Sequence, residues 1–78
     1  MKDKIRAILA QEGKLGVDAA TLKDDDDLYA AGLTSFASVQ LMLALEDGFD
    51  VEFTEKMLGR RTFQSIAAIA SAIAELQG

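Results

Sequence analysis

The chain has 78 residues, half of them apolar, and 13 acidic residues against 8 basic ones give a net charge of -5. That length holds one domain, residues 1-78, and a chain so small buries only about 60% of its unfolded surface; with no cysteine, no disulfide can help. The apolar content excludes a disordered chain, and the acidic balance is the opposite of a nucleic-acid binder's. No apolar run approaches the roughly 20 residues of a membrane span. The absence of histidine removes the commonest general base and the commonest metal ligand, so neither an enzyme nor a metal protein is expected. Met1-Lys2-Asp3-Lys4 and the amphipathic segment after it do not read as a secretory signal. A cytoplasmic location is compatible with that reading and with the lack of cysteine.

From Asp3 to Gln11, Ile5, Ile8 and Leu9 stand at i, i+3, i+4 among charged residues, which predicts an amphipathic helix. Asp3 is the expected N-cap and Gly13 the expected stop. Lys14 to Leu33 has no sustained period, and a loop of that length in a compact domain needs a function or an anchor. Leu15, Val17, Leu22, Leu28, Tyr29 and Leu33 are expected to pin it. Asp24 to Asp27 read as a solvated, self-repelling run; they lack the alternation, central glycine and distal glutamate of a calcium loop.

Gly32 supplies backbone freedom, Thr34 and Ser35 are helix-start residues, and Phe36 to Glu46 contains neither Gly nor Pro. A helix from Ser35 to about Asp47 follows. It is apolar almost all round and therefore central. Its core arc is expected to be Leu41, Leu45 and Met42, flanked by Val39 and Ser38. Its exposed arc is expected to be Ala37, Gln40, Ala44 and Asp47, with Phe36 and Leu43 at the edge. Phe49, Val51 and Phe53 belong to a connector that buries two phenylalanines, and Thr54 opens a short turn over Glu55 to Leu58. Arg60 and Arg61, near Lys56, read first as a charged loop; the functional alternative is a small basic spot that contacts an acidic partner or a phosphate, since arginine suits planar anions. Thr62 is the expected cap of a last helix in which Phe63, Ile66, Ile69, Ala70, Ile73 and Leu76 keep helical spacing. Remaining core residues are Ile5, Ile8, Leu9 and Leu28.

The stretch Gly32-Leu33-Thr34-Ser35-Phe36, with Leu28-Tyr29 before it and Leu45-Glu46, Phe49 and Val51 after it, resembles the attachment site of the acyl and peptidyl carrier proteins. Length and helix order agree over nearly the whole chain. Thr34 stands where that family usually has an acidic residue or histidine, and Phe36 where it usually has leucine. The resemblance implies an all-α, acyl-carrier-like four-helix bundle: three main antiparallel helices, one short helix and a long first loop. It implies that Ser35 is the attachment point of 4'-phosphopantetheine, transferred from coenzyme A by a phosphopantetheinyl transferase, with Thr34 and Phe36 flanking it. Ser35 itself catalyses nothing, since an unactivated serine hydroxyl is a weak nucleophile.

Cargo would ride on the arm's thiol as a thioester. The face of that helix beside Ser35, at Phe36, Ala37, Gln40 and Leu43, lacks the acidic residues usual in fatty-acyl carriers. It points to partners that dock by shape and apolar contact, with Arg60 and Arg61 as a further contact. The sequence is most similar to stand-alone aminoacyl carriers. Their amino acid is loaded by an activating ligase, either aminoacyl-tRNA synthetase-like or an adenylation enzyme, and passed to a downstream acceptor enzyme. A monomer is expected. The alternatives are a fatty-acyl or polyketide carrier and, in another class, a small helical adaptor without a prosthetic group.

Overall fold

The computed structural model describes all residues from Met1 to Gly78. Three α-helices, α1 (Lys2–Glu12), α2 (Ser35–Phe49) and α3 (Ile66–Gln77), are joined by segments whose only regular structure is three short 3-10 turns, at Ala19–Thr21, Glu55–Met57 and Arg60–Phe63. The short fourth helix of the sequence reading is thus made of 3-10 turns. Ile5 and Leu9 of α1, Leu41 and Leu45 of α2, and Ile66, Ile69 and Ile73 of α3 are fully buried. Each set recurs at three- or four-residue spacing, so every helix contributes one apolar stripe. Leu28, from the long loop, completes the fully buried set. Ile8, Met42 and Phe49 pack against this cluster while partly exposed.

The α1 helix begins at Lys2 and has no side-chain cap. Asp3 lies within its first turn and does not cap it. An acidic side chain there still complements the helix dipole. The α2 helix runs to Phe49 and ends at Asp50, whose φ of 53° and ψ of 50° are left-handed. Gly48 therefore sits inside the helix. A Cβ at that position would lie 2.8 Å from Ile8 Cδ1, so the glycine is what allows α1 to approach this closely. Lys4 Nζ lies 4.9 Å from the Phe49 ring centroid at the same contact. Of the two phenylalanines expected in the connector, Phe49 is instead the last residue of α2 and is half-buried, because the helix runs on past Asp47; Phe53, beyond it, is buried. Phe53 meets Phe63 edge-on, with centroids 5.3 Å apart.

The cap of α3 is Ser65, whose hydroxyl accepts from Ala68 N at 3.0 Å; Thr62 lies in the preceding 3-10 turn. The chain tightens there because Gln64 O is taken by Leu28 N at 2.7 Å, which holds Phe63 in the core outside the helix.

The long loop is ordered by a guanidinium. Arg6 donates to Ala19 O at 3.2 Å, Leu22 O at 2.6 Å and Asp24 Oδ1 at 2.6 Å. Lys2 Nζ reaches the other Asp24 oxygen at 2.9 Å, and Asp24 O accepts from Ala67 N at 2.9 Å. Asp24 thereby links the loop to both α1 and α3. The aspartate run is therefore more than solvated charge: Asp26 accepts from Lys23 N at 2.8 Å, and Asp27 from Tyr29 N at 2.9 Å. Leu22, Leu28 and Leu33 are buried and Leu15 and Tyr29 pack on the core, but Val17 is exposed and anchors nothing.

Hydrogen bonds from Lys2 and then Arg6 hold the Asp24 carboxyl below its ordinary range. A carboxyl lowered on folding stabilises the fold above its unfolded pKa of about 4, and that contribution is lost as pH falls through the folded value. Asp24→Asn should be less stable than the parent at neutral pH, and the gap should close as pH falls below about 4. Urea unfolding at a series of pH values measures it; a gap independent of pH contradicts the assignment.

Candidate functional site

The turn before α2 is built by the backbone. Asp27 caps the amides of Tyr29 and Ala30, at 2.9 and 3.4 Å. Gly32 N then donates to Tyr29 O and Leu33 N to Leu28 O, with Leu28 and Leu33 buried on either side. Gly32 has φ +116°, a conformation that side chains resist, and a Cβ there would lie 3.0 Å from Gly16 N. Gly16 N in turn donates to Ala31 O at 3.2 Å. The start of the loop therefore braces its end.

Two hydroxyls follow, and they take different roles. Thr34 is extended, with φ -90° and ψ 165°, and its hydroxyl accepts from Ala37 N at 3.0 Å. It is the cap. Ser35 is the first helical residue and is exposed, and its Oγ takes part in no hydrogen bond within the chain. Ser38 Oγ bonds only the Ser35 carbonyl, at 2.7 Å. Thr34 Oγ takes the amide of Ala37 and Thr34 O that of Ser38, so the amides of Ser35 and Phe36 stand open at the helix start. They give that end of α2 its positive potential.

The rotation of α2 differs from the sequence expectation. Ala37, Leu41 and Leu45 form its buried line. Ala37 is only 4% exposed, so it is a core contact and no part of a partner surface. Val39, expected inside, is 49% exposed. It joins Phe36, at 70%, and Leu43, at 51%, in an outward apolar line at spacings of three and four residues. Gln40 is exposed beside that line, whereas Ala44 is half-buried. A helix apolar on every side has a weak amphipathic signal, and the core chose the smallest residue where α2 enters it. The Phe36, Val39 and Leu43 spacing was the one available clue to the outward line.

Arg60 and Arg61 belong to the 3-10 turn before α3, and both are exposed. The Arg60 guanidinium carbon stands 4.1 Å from the centroid of the Tyr29 ring, in the turn that leads to Ser35. Sequence spacing had no means of pairing positions so far apart. Three surface concavities exist, none of them at Ser35 and none enclosed among the helices.

Ser35 Oγ is thus an outward alcohol, free of internal partners and followed by an apolar helix face. Residues 3–73 match the model described as a phosphopantetheine attachment site, so the chain belongs to the phosphopantetheine-binding carrier family, and its prosthetic group is 4'-phosphopantetheine. Over 73 residues, 94% of this chain and 88% of the other, it is 52% identical to the aminoacyl carrier protein of Agrobacterium fabrum.

Its fold matches, with a TM-score of 0.92 and 51% identity over 95% of this chain and 99% of the other, a carrier protein from Agrobacterium tumefaciens. That carrier was crystallised with AMP and an engineered glycine:[carrier protein] ligase from Bradyrhizobium japonicum. A crystal structure of the Bradyrhizobium ligase with a glycylated carrier protein contains a further match, with a TM-score of 0.77 and 25% identity over 91% of this chain and 95% of the other. The acyl-carrier-like fold expected from the sequence is thereby established. The residues fit the group: a phosphodiester formed at a helix opening with two unpartnered amides is favoured by hydrogen bonding and by the dipole.

Thr34→Ala should cost about 1 kcal/mol of stability through loss of the cap. Thr34→Ser should cost less than half of that. Thermal and urea unfolding of both variants check the pair.

Proposed function

We propose that this protein is an aminoacyl carrier, with 4'-phosphopantetheine attached at Ser35 Oγ by a phosphopantetheinyl transferase that uses coenzyme A. When attached, the group supplies a terminal thiol on which a carboxylic cargo is held as a thioester. The observation that carries the reading is the free Ser35 hydroxyl at the open end of α2, in a chain half identical to a protein named an aminoacyl carrier. Ser35 contributes the oxygen, and the Ser35 and Phe36 amides face the attached anion. Thr34 holds the helix end still.

Cargo is a small amino acid, and glycine is the first candidate, because related carriers occur with a glycine:[carrier protein] ligase and in a glycylated form. The interior supports short cargo. Ile66, Ile69, Ala70 and Ile73 of α3 are buried in one cluster with Leu41 and Leu45, with no enclosed cavity between them for a long chain. Partners are the transferase, an amino acid-activating ligase and an acceptor enzyme, in the cytoplasm, served by a monomeric carrier of residues 1–78. The docking face is Phe36, Val39, Gln40 and Leu43. Three exposed apolar side chains in line are a patch that a partner can cover. No helix is long and apolar enough to cross a membrane.

Intact mass after incubation with a broad-specificity transferase and coenzyme A should rise by one phosphopantetheine, and Ser35→Ala should abolish the gain. The pantetheinylated protein should then accept glycine from a glycine:[carrier protein] ligase and ATP. It should not accept a long-chain acyl group from an acyl-carrier synthetase. Exclusive uptake of long acyl chains overturns the cargo, and a chain that gains no mass overturns the carrier role. Phe36→Ser should lower kcat/KM for loading by about tenfold, as expected for removal of an exposed apolar anchor from an interface.

A further inference from the structure

We propose that Arg60, held against Tyr29, is an anion-recognition group that receives a carboxylate on the surface of the ligase that loads this carrier. The inference rests on the carrier reading above and adds a partner chemistry to it. From Asp24 to Glu55 the chain has acidic residues and no lysine or arginine, so the segment that contains Ser35 has no positive side chain of its own. The fold brings one in. The Arg60 guanidinium carbon lies over the Tyr29 ring, 4.1 Å from its centroid and six positions before Ser35, and Leu28 N bonds Gln64 O at 2.7 Å nearby. The guanidinium is therefore fastened to the turn that holds the Ser35 end of α2, and it comes with that turn to any docked partner.

This arginine is also unspent. Lys2 and Arg6 are both paired with Asp24, but neither Arg60 nor Arg61 forms an ion pair in a chain with 13 acidic residues. The Arg60 N–H donors form no hydrogen bond within the chain, and contact with a ring face does not consume them. The ring restrains the side chain beforehand, so less rotamer freedom is lost when a carboxylate arrives. A planar fork matches a carboxylate through two parallel bonds. The open amides of Ser35 and Phe36 already serve a phosphate at the attachment point, which leaves the guanidinium for the protein partner. The outward face of α2 from Phe36 to Leu43 is uncharged and supplies contact area without orientation. A charge pair at one end supplies the orientation.

The probe is the engineered Bradyrhizobium japonicum glycine:[carrier protein] ligase, with glycine and ATP, acting on pantetheinylated parent, Arg60→Glu, Arg60→Lys and Tyr29→Leu proteins. Intact mass first shows that each carries the group, and thermal unfolding shows that each is folded. Arg60→Glu should raise KM for the carrier by about five- to tenfold with kcat little changed, as expected for reversal of one interfacial charge. Arg60→Lys and Tyr29→Leu should each raise it by about two- to threefold, the first by losing the fork and the second by losing the restraint. Added salt should raise the parent's KM and leave that of Arg60→Glu nearly flat.

An unchanged KM in Arg60→Glu overturns the proposal. So does a change confined to the KM for coenzyme A in the transferase reaction, which would assign the arginine to phosphate. A parent protein that gains phosphopantetheine but is not loaded by the ligase leaves the carrier role standing and overturns the partner inference.

Discussion

The hydroxyl of Thr34 accepts the amide of Ala37 at 3.0 Å, and the rest of the site follows from that bond. Two adjacent alcohols compete to cap α2, and the backbone gives the position to Thr34 by holding it extended. Ser35 then starts the helix with nothing inside the chain to bind. Ala37, whose amide the cap takes, is the first inward residue, and Leu41 and Leu45 follow at four-residue intervals into the core. The cap thus determines which oxygen is free, and packing of the Ala37 line into the core determines which face of the helix looks outward.

A chain of this size has little core to spare, and it holds a twenty-residue loop without disulfides. It does so by using charged side chains as backbone connectors. Arg6 satisfies two loop carbonyls and a carboxylate at once, and Asp24 connects α1 to the first turn of α3 through its side chain and its carbonyl. Charge-assisted bonds of this kind are stronger than neutral ones. They substitute for apolar area in the part of the molecule that must remain near the surface. Leu22, Leu28 and Leu33 then close the loop over the helices. The loop is long because it must travel from the end of α1 to the start of α2, and its bonds hold the turn before Ser35 in one place.

The division of labour is chemical as well as structural. A protein with neither cysteine nor histidine has no thiol and no neutral-pH base of its own. The thiol of the phosphopantetheine group supplies the first. Under the proposed function, the chain's own contribution is a fixed oxygen, a favourable potential for the phosphodiester, and a surface for partners. The Phe36, Val39 and Leu43 line is uncharged and exposed, so a partner covering it as proposed would gain apolar contact rather than charge pairing.

Periodicity and the absence of breakers were enough to define three helices, the position of Ser35 at the opening of the second, and most of the core from Ile5 to Ile73. These are local properties: a cap, a glycine turn and a repeat of 3.6 residues are all written within a few positions of each other. Where the local signal was flat, the tertiary structure decided. The α2 helix is apolar on every side, so only packing against α1 and the shared core could choose Ala37 over Val39 for the interior. Thr62 and Ser65 are equally good caps by residue type, and the bond from Leu28 N to Gln64 O delayed the last helix until Ser65. The four aspartates looked alike, and long-range bonds to Lys2 and Arg6 made a clasp of Asp24. Arg60 and Tyr29 are thirty-one positions apart in sequence, and a contact of that kind exists only once the chain has closed on itself.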